Sequence, residues 1–360
     1  MNRARLDMPG RSSPMTEFDA VFVPHTAFTE VLKDIEDIFS VHGQLREAPN
    51  VFVTGPAGAG KTTMIELFLA AHPRVENGRR VSAPGGDAVC DDVPLLVSEM
   101  PSQPTVNSLA RQLLKDLGHA FWNKGDRDAL KNNLVGFAQD CGVKGVVIDE
   151  AQRAVDRDGE VRSEDIAEFL KELQGLLNVS FFLFGMGRVR GLFDHDDQVD
   201  RRWEEELAIP PYQWGADNAD PEPESRLNFI AVLASMREQS PLPFANEIDV
   251  EMNDCAKQFY YASRGVVGLL KKLLLAAMRI AARDGDSVIS SDLLYRAFEK
   301  AFRKEKKHER LINPWGQEWM GQAPPPLRDH SLPIRRKKPT KPNATKAERR
   351  NEIIAALSKR

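Results

Sequence analysis

Three cysteines in 360 residues, Cys90, Cys141 and Cys255, are too few and too scattered for a disulfide framework. None stands in a C-x-x-C pair, which argues against a zinc site, and the thiols read as small core residues. The seven histidines are scattered as well. His195, set among Asp194, Asp196 and Asp197, reads as a solvated turn, so no structural metal is expected. Long apolar runs are also missing. No stretch approaches the roughly 20 residues of a membrane-spanning helix, and Arg3, Arg5 and Arg11 have no apolar block behind them, unlike a secretory signal. The expectation is a cytoplasmic protein without a membrane partner. What is present, 42% hydrophobic and 28% charged residues, is the composition of a soluble globular chain of one large or two ordinary domains.

The net charge of −4 hides an asymmetry. From Arg328 onward there are eleven Lys/Arg against three Asp/Glu, which leaves 38 basic and 50 acidic residues in Met1 to Leu327, a net −12. A basic tail hangs on an acidic body, a pattern that suits nucleic acid or an acidic partner.

Gly55-Pro56-Ala57-Gly58-Ala59-Gly60-Lys61-Thr62 fits G-x-x-x-x-G-K-[ST] at every position. It follows the apolar Val51-Phe52-Val53 and precedes a helical pattern beginning at Thr63-Met64-Ile65, the strand, loop and helix the motif requires. Its physical task is anion capture: glycines let successive backbone N–H groups face a phosphate, and the helix N-terminus adds its positive dipole end. Lys61 is then positioned for the β- and γ-phosphates, Thr62 for Mg²⁺, and Thr63 closes the cradle, so the expected cofactors are ATP and Mg²⁺. About ninety residues downstream, Gly145-Val146-Val147-Ile148-Asp149-Glu150 is an apolar strand ending in two carboxylates. Alone this is a weak signal. Paired with the phosphate loop, it assigns Asp149 to the metal and Glu150 to polarising the attacking water.

The rest of the chain alternates strand and helix, as a parallel sheet requires. Thr26–Phe39, Thr105–Gly118 and Lys124–Asp140 carry helical spacing, as does the run from Ile166 to Leu177. Pro94–Met100, Val179–Gly185 and Glu206–Ile209 read as strands, whereas Pro73–Asp92 reads as an exposed loop. The expected organisation is a flexible N-terminus (1–24), an α/β nucleotide-binding domain with a five-stranded parallel sheet (25–210) and a linker (211–225). A small all-helical lid (226–305) and an extended basic, Pro-rich tail (306–360) with a short terminal helix follow. Asp149-Glu150-Ala151-Gln152 matches a helicase box by letters, but no second helicase domain follows it.

An α/β P-loop core with Asp-Glu after its second motif, an arginine pair and a helical lid resembles an AAA+ ATPase. The likeness narrows at Pro94–Thr105, Val147–Gln152, Phe184-Gly185-Met186-Gly187 and Asp197-Gln198-Val199-Asp200-Arg201-Arg202, which resemble the TniB/TnsC family of transposition regulators over roughly residues 25–305. That resemblance implies an ATPase that assembles on double-stranded DNA as a ring or filament, marks a target, recruits a transposase and receives a TniQ-type protein, with hydrolysis driving disassembly. It implies Glu150 as catalytic base and Arg201 or Arg202 as an arginine finger reaching a neighbouring subunit. Lys271 or Lys272 would replace the lid arginine of many relatives, and the strand end at Phe184–Gly187 lacks their polar sensor. DNA contact falls to Lys124, Arg127, Lys131 and Arg153, sequence-tolerant and salt-sensitive. Two other readings stand beside it: a helicase loader or replication initiator, and an ATP-binding scaffold without turnover.

Overall fold

The computed structural model describes residues 14–83, 86–156, 160–193, 203, 205–219 and 221–327. Helix α1 (Pro14–Asp19) and helix α2 (Thr26–Ser40) lead into strand β1 (Val51–Thr54) and helix α3 (Lys61–Ala71). A hairpin, β2 (Val75–Ala83) and β3 (Gly86–Asp92), precedes β4 (Leu95–Glu99), α4 (Val106–Leu117), α5 (Arg127–Asp140) and β5 (Gly145–Asp149). Helix α6 (Glu160–Leu177), β6 (Ser180–Gly185) and β7 (Glu205–Ala208) complete the α/β part. Among the described residues the elements that follow are helices: α7 (Glu224–Glu238), α8 (Asn253–Ser263), α9 (Val267–Asp284), α10 (Ser291–Ala301) and α11 (Arg303–Glu309).

Five strands form one parallel sheet in the order β4-β5-β6-β1-β7. Strand side chains alternate between faces, and the core divides accordingly. Phe52, Val146, Ile148, Phe181 and Leu183 face α4, α5 and α6, while Val51, Val53, Val147, Phe182 and Phe184 face α2 and α3. Covering both faces makes the central strands apolar throughout, and every residue of β1 and β6 is buried. Local signals set the helix ends: Thr105 and Ser108 form a reciprocal capping box on α4, and Gly118 ends that helix in the left-handed region at φ 94°. The parallel strands all point their carboxyl ends toward the loop after β1, which positions the candidate site there.

Four expectations need correction. Pro73–Asp92 is not a loop: β2 and β3 pair antiparallel, with Arg80 opposite Val89. The hairpin is held by guanidinium groups on helix ends, Arg74 donating to the Leu117 carbonyl at 2.9 Å and Arg79 to the Asp140 carbonyl at 2.9 Å. Those last-turn carbonyls lack partners inside their helices, so cations suit them. Residues 14–24 of the N-terminus are packed, because Phe18 is fully buried among the helices that follow β7. The stretch 211–225 is anchored by Trp214, which lies in the same helical core beneath the Arg226 guanidinium, 4.9 Å from its ring. The tail does not leave the body at residue 306: Leu311 is buried, and Trp315 and Trp319 pack on Phe259 and Tyr261 at 5.2 and 4.7 Å. Residues 1–13, the basic run Arg335–Lys338 and the capping-box segment Thr345–Glu348 lie outside the described residues.

Candidate functional site

Gly55–Gly60 turns the chain from β1 into α3, and two of its glycines are obligatory. Gly58 and Gly60 have φ of +85° and +96°, a region that L side chains rarely adopt. A Cβ on Gly60 would also press on the Phe28 ring at 3.3 Å. The loop is tied to the sheet by the Gly55 N–H donating to the Gly185 carbonyl at 3.2 Å. Lys61, the first residue of α3, donates from Nζ to the carbonyls of Gly55 at 2.7 Å and Pro56 at 2.9 Å. Burial lowers its pKa from the ordinary lysine value, and the nearby Asp149 and Glu150 carboxylates oppose that shift. The ammonium is therefore poorly hydrated and faces negative charge, as a phosphate-binding lysine must.

Thr62 and Asp149 converge, Oγ1 donating to Oδ2 at 3.4 Å. Burial, then the charges of Glu150 and Glu99, push the Asp149 pKa upward, partly offset by the Glu150 N–H and by Lys61. The Glu150 N–H reaches Oδ1 at 2.7 Å. A carboxylate destabilised by burial and like charge is relieved by a cation, so this pair fits Mg²⁺. Among the described residues no three His, Cys, Asp or Glu side chains gather into a metal cage. Mg²⁺ at Thr62 and Asp149 would therefore depend on oxygens from phosphate and water, as is usual for that ion.

Glu150 sits at φ 54° and its side chain is held. Gln152 donates from Nε2 to Glu150 Oε2 at 2.7 Å while its Oε1 accepts the Met186 N–H at 3.2 Å, which fixes the amide orientation. Only 3% of Gln152 is exposed, and a Cβ on Gly185 would stand 2.5 Å from its Oε1. The strand end Phe184–Gly187 indeed carries no polar side chain, but an amide comes instead from the 3₁₀ turn Ala151–Ala154 that follows the neighbouring strand β5. The Asp-Glu-Ala-Gln letters held that signal. Replacing Gln152 by Ala should lower turnover about tenfold, an effect on the scale of lost supporting contacts, while nucleotide affinity stays unchanged; steady-state hydrolysis and calorimetry check this, and unchanged turnover would refute the positioning role.

Both lysines expected at the lid position are engaged elsewhere. Lys271 donates from Nζ to the carbonyls of Asp19 at 2.5 Å and Val21 at 3.0 Å, so it holds the N-terminal segment and is not aimed at phosphate; Lys272 pairs with Glu305 at 2.9 Å. What meets the phosphate loop from this side is backbone. The Gly268 N–H donates to the Gly58 carbonyl at 2.9 Å, and a Cβ at Gly268 would lie 2.5 Å from that oxygen, so no side chain fits. Arg153 belongs to the site, bridging Glu99 at 2.5 Å and Glu150 at 3.7 Å. Lys131 is paired with Glu172 at 2.9 Å. Lys124 and Arg127 remain exposed, and Lys124 lies 4.9 Å from the ring of Phe121, itself 57% exposed beside Trp122. Arg201 and Arg202 lie outside the described residues. An aromatic collar that periodicity did not reveal, His25 against Phe28 and Tyr212 at 5.7 Å each, stands next to the loop, with the Tyr212 hydroxyl buried.

A parallel sheet in this order, a phosphate loop after its β1 and an Asp-Glu pair on a nearby strand end define the AAA+ class of P-loop ATPases. The chain is similar to the Aeropyrum pernix Orc1 protein, solved in complex with DNA, at a TM-score of 0.53 and 16% identity over 81% of this chain and 70% of that one. It is similar also to Cdc6p from Pyrobaculum aerophilum, at a TM-score of 0.54 and 11% identity over 79% and 70%. At such identities the likeness establishes the fold alone. The family model for the bacterial TniB protein matches residues 18–213, and the chain belongs to the TniB family. No protein of curated function matches it. Among the described residues no helix is long and apolar enough to cross a membrane.

Proposed function

We propose that this TniB-family chain binds ATP with Mg²⁺ and assembles on double-stranded DNA as a ring or filament. There it marks a transposition target and recruits the transposase, with a TniQ-type protein choosing the target and hydrolysis driving disassembly. The observation that carries the reading is the convergence of Lys61, Thr62, Asp149 and Glu150 at the strand ends of a TniB chain. Loop N–H groups and Lys61 hold the phosphates, and Thr62 and Asp149 hold the metal, which neutralises charge on the phosphates when bound. Glu150, oriented by Gln152, accepts the proton of the attacking water. Arg201 or Arg202 reaches the nucleotide of the next subunit, which makes turnover depend on assembly.

The helical part acts as the lid, seated on the phosphate loop through Gly268. For DNA, exposure supports Lys124 and Arg127 as phosphate contacts, with Phe121 and Trp122 beside them. Pairing with Glu172 and with Glu99 draws Lys131 and Arg153 away from that task.

Electron microscopy with a slowly hydrolysed ATP analogue, with and without plain duplex DNA, tests the proposal. Rings or filaments should require both components, with Lys124 and Arg127 against the duplex. Single particles under every condition would overturn the assembly reading.

A further inference from the structure

The chain after α11 does two different things. Up to Trp319 it is part of the helical core: the Ile312 N–H donates to the Tyr261 hydroxyl at 3.0 Å, and Gln258 donates to the Pro314 carbonyl at 2.8 Å. At Met320, 85% exposed, the chain leaves that core, and Gly321 turns it back at φ 73°. Residues Gly321–Leu327 then run beside the segment that connects β7 to α7. Together with Trp214, Lys257, Tyr260 and Arg264 they enclose a cavity of about 450 Å³.

None of Gly321–Leu327 is buried. The segment lies over a half-open cavity and has no ring contact with the core, whereas Leu311 is buried and the partly buried Trp315 and Trp319 pack edge-on to Phe259 and Tyr261. Pro324-Pro325-Pro326 makes it stiff, so it keeps its course at little entropic cost. A stiff but loosely held segment opens at a free energy far below that of unfolding.

What it covers leads to the phosphate loop in two backbone steps. The Tyr212 N–H donates to the Gly265 carbonyl at 2.9 Å, and Gly265, at φ +76°, is so close that a Cβ would lie 2.1 Å from the Tyr212 oxygen. Three residues on, the Gly268 N–H meets Gly58. Neither step passes through a flexible side chain, so a shift of Pro211–Gly215 moves the first turn of α9 on the loop that cradles phosphate.

We infer that Gly321–Leu327 is a clasp that positions the lid: closed on the connection at Pro211–Gly215, it keeps Gly268 on Gly58, and its release loosens nucleotide binding. The inference rests on the ATP reading above for its ligand, though not for its mechanics.

Three chains decide it: full length, one ending at Leu327 and one ending at Met320. Each is measured for affinity to a fluorescent ATP analogue, for amide hydrogen exchange at Gly265–Leu270, and for thermal melting. The chain ending at Leu327 should match full length. The chain ending at Met320 should melt at nearly the same temperature, bind about fivefold more weakly and exchange those amides about tenfold faster. Equal exchange and equal affinity in all three would overturn the clasp. Should the shortest chain fail to fold, Pro324→Ser, Pro325→Ser and Pro326→Ser together in the full chain keep its length while removing its stiffness, with the same exchange expected to rise and an unchanged rate refuting it. If full-length protein does not bind the analogue, the ATP reading fails, and hydrogen exchange still judges the clasp.

Discussion

Glu150→Gln binds ATP as tightly as the native chain and hydrolyses it about 10²- to 10⁴-fold more slowly, the range that a positioned general base contributes. The amide keeps an acceptor for Gln152, which donates at 2.7 Å, and the residue keeps its left-handed backbone at φ 54°, so the site's geometry survives. What disappears is the lone pair that takes the proton of water. Under the proposed function this variant also freezes assemblies on DNA, because hydrolysis is the step that takes them apart. Turnover measured with and without duplex DNA, alongside calorimetric ATP binding, separates the possibilities. A loss of less than tenfold would mean that another group activates the water. If native protein shows no turnover even with DNA, the chain is a nucleotide-binding scaffold and the enzyme reading fails.

Lys61→Ala acts earlier, on binding itself. Its ammonium lies between the loop carbonyls of Gly55 and Pro56 and the carboxylates of Asp149 and Glu150. Without it, a triphosphate approaches Asp149, Glu150 and Glu99 with the loop N–H groups, Arg153 and the metal proposed at Thr62 and Asp149 in compensation, but no ammonium in the loop. A hydrogen bond to a charged group contributes about 1.5–3 kcal/mol, which is about 10- to 150-fold in affinity. ATP affinity should fall by at least the lower figure, and assembly on DNA should fall with it. The fold should not suffer, because Lys61 opens its helix and removal of a buried charge takes away a desolvation cost. Calorimetry gives the affinity and thermal melting the fold; an affinity close to native would show that the phosphates bind elsewhere.

The two motifs that carry these predictions were legible in the sequence because their chemistry is local. Gly55–Thr62 is a strand-to-helix turn whose glycines, lysine and threonine act within eight positions, and Val146–Glu150 is one strand and its end. The parallel sheet was legible for a related reason: strands covered on both faces become continuous apolar runs, and helices between them keep a 3.6-residue period.

Other parts depend on contacts between distant segments. Gln152 matters because β5 ends beside β6, where Gly185 leaves room for its amide. The hairpin Val75–Asp92 is not legible locally because Gly78, Gly86 and its charges mimic a loop, while the carbonyls that hold Arg74 and Arg79 lie on α4 and α5. The family resemblance puts Lys271 or Lys272 near phosphate, yet Lys271 meets the Asp19 and Val21 carbonyls and Lys272 meets Glu305, while the Gly268 N–H is what meets Gly58.

By itself, then, the sequence determined the class of the fold and marked the turn at Gly55–Thr62 and the strand end at Asp149-Glu150 as the candidate site, since periodicity and short motifs are properties of neighbouring residues. Only the tertiary structure decided what holds the Glu150 side chain, what meets the phosphate loop at Gly58 and how residues 14–24 and 311–319 pack on the helical core. Those outcomes follow from packing between segments as much as 252 residues apart, and no local pattern encodes which carbonyl a lysine will find or which glycine must leave a gap.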